Sequence, residues 1–225
     1  MHIEPGLVAD SKIWLSYATA AGAGAFALKL AWEDTKERGS ASLLARATAA
    51  TVLVFCFFEV LPHYPVGVSE VHFIFGSTLF LILGAAPAAI GLALGLLLQG
   101  LFFAPFDLPQ LGMNVTTLLV PLFGLRYLAG KIIEPDTPYV DLKYRQALAL
   151  STAYQAGIVA WVMFWALYGH GFGAENIQSI VTFGGAYMLV IIVEPLADLA
   201  VLAGAKAIHA LRGSPLVERR LYHPA

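Results

Sequence analysis

The chain has 225 residues, of which 59% are hydrophobic and 12% charged, with a formal net charge of −2 and a mean hydropathy of +0.74. That balance excludes an ordinary soluble domain and a nucleic-acid binder, which would carry a clustered basic patch. The single cysteine, Cys56, lies in an apolar run, so an intrachain disulfide and a CxxC site are excluded as well.

Residues 1–12 are short and polar. They carry Glu4 and Asp10 against Lys12 alone, whereas a secretory leader needs a basic start, so the apolar run that follows is expected to be retained. Span one is expected over Ile13–Trp32. It is rich in Ala and Gly (Ala20 to Ala25), which lets neighbouring helices approach closely. Residues 33–41 read as a polar loop, and Ser42–Leu61 as span two. Residues 62–71 hold Pro62, Pro65 and Gly67 and read as an irregular loop. His72–Phe103, broken at Gly84-Ala-Ala-Pro87, must supply spans three and four, and it is short for two crossings at about 20 residues each. Gly91 and Gly95 form a GxxxG in the second of these, a close-packing face. Residues 104–111 form a turn-rich loop. Span five is expected over Gly112–Gly130, a charged loop over 131–146, and spans six and seven over Ala147–Tyr168 and Ile177–Gly204.

Lysines and arginines orient these spans. Of thirteen, twelve fall around residues 29–46, around 126–145 and in the tail, with only Lys12 elsewhere. Placing those clusters in the cytoplasm satisfies the positive-inside rule. Arg46 and Arg126 then lie on one side, so an even number of crossings separates them. The expected fold is all-α and polytopic, with about seven transmembrane helices, the N-terminus outside and the C-terminus cytoplasmic. Three segments follow: an outer N-terminal loop (1–12), a transmembrane helical domain (13–205) and a cytoplasmic tail (206–225).

Met1-His2-Ile3 carries the chemistry. A terminal amine, the deprotonated amide of His2 and its imidazole Nδ1 chelate one ion in fused five- and six-membered rings. One corner of a square plane stays open for a fourth donor. Tetragonal nitrogen ligation suits Ni²⁺ or Cu²⁺, and Co²⁺ also fits. The alternative is a frayed terminus. The orientation puts this terminus with His63, Glu70, His72 and His170 on the outer side. His72 opens an apolar helix and is the first choice for the fourth corner, with His63 its rival. Glu70 is positioned to accept the second N–H of a ligand imidazole. Glu194 is an acid within span seven, and intramembrane acids are costly and functional by default. Arg126, at similar depth, is its expected partner. His170, His209 and His223 read as surface residues. Trp161 and Trp165 share one helix face. No P-loop, HExxH or nucleophile elbow occurs, so ATP hydrolysis would need another subunit.

Several of these motifs resemble one family. Met1-His2-Ile3-Glu4-Pro5-Gly6 is similar to the Met-His-Ile-Met-Glu-Gly opening of the CbiM/NikM proteins, the substrate-binding membrane components of energy-coupling factor (ECF) transporters for cobalt and nickel. Glu59 to His72 resembles their proline-glycine loop ending in Ser-Ser-His. The leucine run ending at Gln99 resembles their glutamine-bearing helix, and Leu111-Gly-Met-Asn114 their Leu-Gly-Ala-Asn. Order and spacing agree over residues 1–125, and beyond that only hydropathy and length agree. The opening is one residue shorter than the family's, and Phe73-Ile74-Phe75 stands where the family has Pro-Thr-Gly.

The resemblance implies a component for Co²⁺ or Ni²⁺ uptake, with no catalysis of its own, in the inner (plasma) membrane and linked to cobalamin biosynthesis. The metal ligands it implies are Met1, His2 and His72, with Asn114 bracing the N-terminal loop. The implied partners are a transmembrane coupling subunit, two ATP-binding subunits and a small two-span accessory protein. Two other readings stand beside it. One is an ECF component for an organic vitamin, which has no need of a free Met-His; the other is a membrane assembly protein.

Overall fold

The computed structural model describes residues 2–211. Among these are seven α-helices and one hairpin. In order they are α1 (Trp14–Arg38), α2 (Ser40–Glu59), β1 (Tyr64–Val66), β2 (Ser69–Val71), α3 (Gly76–Leu83), α4 (Ala85–Phe102), α5 (Leu111–Ile132), α6 (Tyr144–His170) and α7 (Ala174–Ala210). Met1 and residues 212–225, including His223 and three arginines of the expected tail, lie outside the described residues.

Five helices are long and apolar enough to cross a bilayer. They are α2, α4, α5 with the 3₁₀ turn before it (Pro105–Ile132), α6 and α7. Two of the seven expected spans are not among them. α3 has eight residues, about 12 Å of helix against a hydrocarbon core of about 30 Å. α1 is 25 residues long, but its last third holds Glu33, Asp34, Lys36, Glu37 and Arg38. The expected 33–41 loop is therefore mostly helix. Its Glu, Lys and Arg residues are good helix formers, and Lys29 pairs with Glu33 one turn on.

The 62–71 segment is a hairpin rather than an irregular loop. Pro65 faces Glu70 and Val66 faces Ser69, around a two-residue turn of Gly67 and Val68. Gly67 has φ +63°, the left-handed value that a type II′ turn demands at its first central position. A side chain there would also strike the Ser179 carbonyl of α7 at 2.2 Å, so only glycine lets the turn seat.

α2 and α4 pack face to face. A Cβ on Gly91 would lie 2.4 Å from Ala50 Cβ, and one on Gly95 2.6 Å from Val54 Cγ1, so the GxxxG is a contact face. α5, α6 and α7 pack in sequence, and α1 lies on α5. The shared core includes Phe58, Leu92, Leu118, Tyr154, Trp165 and Tyr187, all essentially inaccessible. Many apolar side chains on the outer faces of α2 and α7 are exposed, as lipid-facing surfaces require.

Candidate metal centre

Residues 2–4 do not fray; they join the hairpin. Ile3 pairs with Ser69 in an antiparallel bridge. Glu70 N–H donates to the His2 carbonyl at 3.0 Å, Glu4 N–H to the Val68 carbonyl at 3.2 Å, and Ser69 Oγ to the His2 carbonyl at 2.8 Å. Ile3 is fully buried, and its N–H donates to Asn114 Oδ1 on α5 at 2.8 Å. The first residues thus add a third strand to the hairpin, with main-chain bonds for affinity and one buried side chain for register.

This places His2 and His72 side by side, 4% and 2% exposed, with ring centroids 5.8 Å apart. Phe58 of α2 packs edge-on against both, at 6.2 and 4.5 Å. Glu70 closes the group. One ligand-capable atom each from His2, Glu70 and His72 all lie within 4.8 Å of one another.

The hydrogen bonds assign the nitrogens. His72 Nδ1 lies 3.1 Å from the Phe73 carbonyl, which can only accept, so Nε2 carries the ring's lone pair. His2 Nδ1 lies 2.6 Å from Glu70 Oε2, where the ring N–H donates to the carboxylate. Glu70 therefore sits on the nitrogen that a terminal chelate would use, rather than on the opposite N–H. Burial holds the His2 imidazole below its ordinary pKa, which favours the neutral ring. Burial alone would raise the Glu70 carboxyl, but the hydrogen bond and charge of His2 outweigh it, and the carboxyl lies below its ordinary value. Glu4, half-buried beside the Glu70 charge, is pushed up.

His63 stays apart. It is exposed, and its Nδ1 lies 3.3 Å from the Leu61 carbonyl. His72 does not open a helix as expected; it lies after β2, four residues before α3 begins. Glu194 and Arg126 do not pair. Arg126 reaches Glu33 at 3.8 Å, while Glu194 binds the backbone of Ile74 and Phe75. Met1 lies outside the described residues.

One neighbour escaped the sequence reading as a site residue. Asp107, in the 3₁₀ turn before α5, is 5% exposed and puts Oδ2 4.0 Å from His2 Nε2. Gln99 of α4, noted in the sequence only through the family resemblance, is 3% exposed and acts on His2 as well, raising its pKa against the effect of burial. The signal for Asp107 was present: it is the one acid in the apolar 104–111 loop.

A family model described as CbiM, cobalt uptake substrate-specific transmembrane region, matches residues 2–210. The chain belongs to the CbiM family. Two crystal structures share the fold of this CbiM protein. A truncated transition metal transporter aligns over 95% of this chain and 99% of its own, with TM-score 0.65 and 17% identity. A second transition metal transporter aligns over 99% and 98%, with TM-score 0.62 and 16% identity. No curated protein matches the chain significantly. As a CbiM protein it is the metal-binding membrane component of an ECF-type transporter, a transport subunit without catalysis of its own. It is a multi-pass membrane protein, consistent with the plasma membrane, of a family associated with multi-subunit assemblies.

Proposed function

We propose that this CbiM protein captures Co²⁺ or Ni²⁺ from the outer side of the membrane. The ion is held by the Met1 amine, the His2 amide nitrogen and imidazole, and His72 Nε2. The observation that carries this is the convergence of His2, Glu70 and His72 in one buried cluster, built by docking the N-terminal loop onto the hairpin. Glu70 holds the Nδ1 position until the ion arrives. On binding, the ring proton leaves Nδ1 and is carried by Nε2, so the imidazole stays neutral while Nδ1 takes the ion, and burial keeps a second proton from competing for it. Asn114 braces the loop through Ile3. Selectivity comes from square-planar geometry and nitrogen donors rather than raw affinity, which on its own favours copper.

In this reading the chain crosses the membrane seven times, with α1, and α3 together with the irregular residues 72–75 before it, completing the five long apolar helices. The N-terminus is outside and the C-terminus cytoplasmic. Residues 1–12 are the metal-chelating loop, 13–205 the helical domain and 206–225 the tail. A transmembrane coupling subunit, two ATP-binding subunits and a small two-span accessory protein complete the transporter.

Titration of purified protein with Co²⁺ and Ni²⁺, read by visible absorption, tests the site. The native N-terminus should bind one ion with a square-planar spectrum. Acetylation of the N-terminal amine, or His72→Ala, should weaken binding by at least about tenfold, while His63→Ala stays within about twofold. Equal binding by the native and acetylated forms would place the site elsewhere.

A further inference from the structure

Residues His72-Phe73-Ile74-Phe75 run between the hairpin and α3 as neither helix nor strand. Irregular backbone in a membrane protein must find its hydrogen-bond partners within the protein. Here they come from Glu194, fully buried on α7, which the metal cluster does not use. Its Oε1 accepts from the Ile74 N–H, and its Oε2 from the Phe75 N–H at 2.9 Å. Gln155 of α6 donates its amide to the same Oε2 and accepts from the Tyr187 hydroxyl at 2.7 Å. Three donors thus converge on a carboxyl that only accepts. Phe75 has φ 53° and ψ 31°, a left-handed conformation that a bulky residue keeps only when its surroundings over-determine it. Two of the amides two and three residues beyond His72 are therefore fastened to α7. The hairpin fastens the chain on the other side of the histidine.

Asp198 lies one turn further along α7 and does a different job. It accepts from the hydroxyls of Ser77, at 2.5 Å, and Thr78, both within the first turn of α3. Among the described residues it hydrogen-bonds to these hydroxyls rather than to the 72–75 backbone, so it secures the helix rather than the histidine.

We propose that Glu194 is a positioning residue for metal binding. By fixing Ile74 and Phe75 it keeps His72 within reach of His2, and so sets the affinity and ligand geometry of the ion. This rests on His72 being a ligand. Glutamine at 194 would turn an NH₂ towards donors on one side of the carboxyl, whichever way its amide is flipped, and so release at least one backbone N–H.

The test compares wild type with Glu194→Gln, Glu194→Asp, Asp198→Asn and His72→Ala in Co²⁺ titrations, each with a thermal melt. Glu194→Asp keeps the charge but is one methylene too short to hold both amides, and it serves if the glutamine variant does not fold. Both Glu194 variants should bind Co²⁺ at least about tenfold more weakly, on the order of 1.4 kcal/mol, with a shifted ligand-field band. Asp198→Asn should melt lower yet keep its affinity within about twofold and its spectrum unchanged. In the unaltered protein, the Ile74 and Phe75 amides should exchange more slowly once Co²⁺ is bound. A folded Glu194 variant with wild-type affinity and spectrum overturns the proposal. So does Asp198→Asn weakening binding as much as Glu194→Gln, which would reduce Glu194 to general stability. If His72→Ala binds like wild type, the ligand assignment itself has failed, a result separate from either.

Discussion

Asn114→Leu isolates the docking of the N-terminal loop from the metal ligands. Asn114 sits on α5, 1% exposed, and its Oδ1 is the acceptor for the Ile3 N–H. Ile3 is fully buried, so no water can replace that acceptor. Leucine is close in volume, which keeps cavity and overpacking terms small. What remains is one orphaned backbone donor, costing about 1–3 kcal/mol. The loop must be docked for His2 to face His72, so the cost falls on metal binding. At about 1.4 kcal/mol per decade, Co²⁺ affinity should drop about 5- to 150-fold. Isothermal titration of detergent-purified protein measures the drop, with circular dichroism confirming an unchanged helix content. A folded variant with wild-type affinity would refute the reasoning, since docking and binding would then be independent.

Acidification should loosen the same loop. The His2 pKa lies below its ordinary 6.5, so the unfolded chain takes up a proton where the folded one does not. The stability this contributes is complete above about pH 6.5 and is lost as the pH falls from there towards the folded pKa. Glu70, also lowered, acts in the same direction below its ordinary 4.5. Without metal, the amide protection factors over residues 2–8, corrected for the base-catalysed intrinsic exchange rate, should be lower at pH 5.5 than at 7.5; higher protection in acid would contradict the assignment. In the membrane domain, Gly95→Leu drives a side chain into Val54, where a Cβ alone already comes to 2.6 Å. Overpacking of about 1–3 kcal/mol should lower the melting temperature of the purified protein, and an unchanged melt would mean that α2 and α4 can slide apart freely.

The amino-acid sequence by itself determined the membrane class and where most long helices lie, because lipid forces each spanning segment to satisfy its own backbone and so to announce itself in local hydropathy. The GxxxG face of α4 was legible for the same reason: it depends on residues close together in the chain. Local signals failed where partners are distant. Gly67 was visible as a turn residue, but the hairpin acquires its third strand only because Ile3 lies against Ser69, 66 residues away in sequence. The Glu70 carboxylate on His2 Nδ1, rather than on the opposite N–H, follows from that register. Glu194 was recognisable as costly, yet its partners are the amides of Ile74 and Phe75, 120 and 119 residues before it. Arg126 shared its expected depth but faces Glu33 instead. Only the tertiary structure decided these pairings, because a buried polar group takes whichever partner the packing of helices brings within about 3 Å, and nothing in its own neighbourhood names that partner.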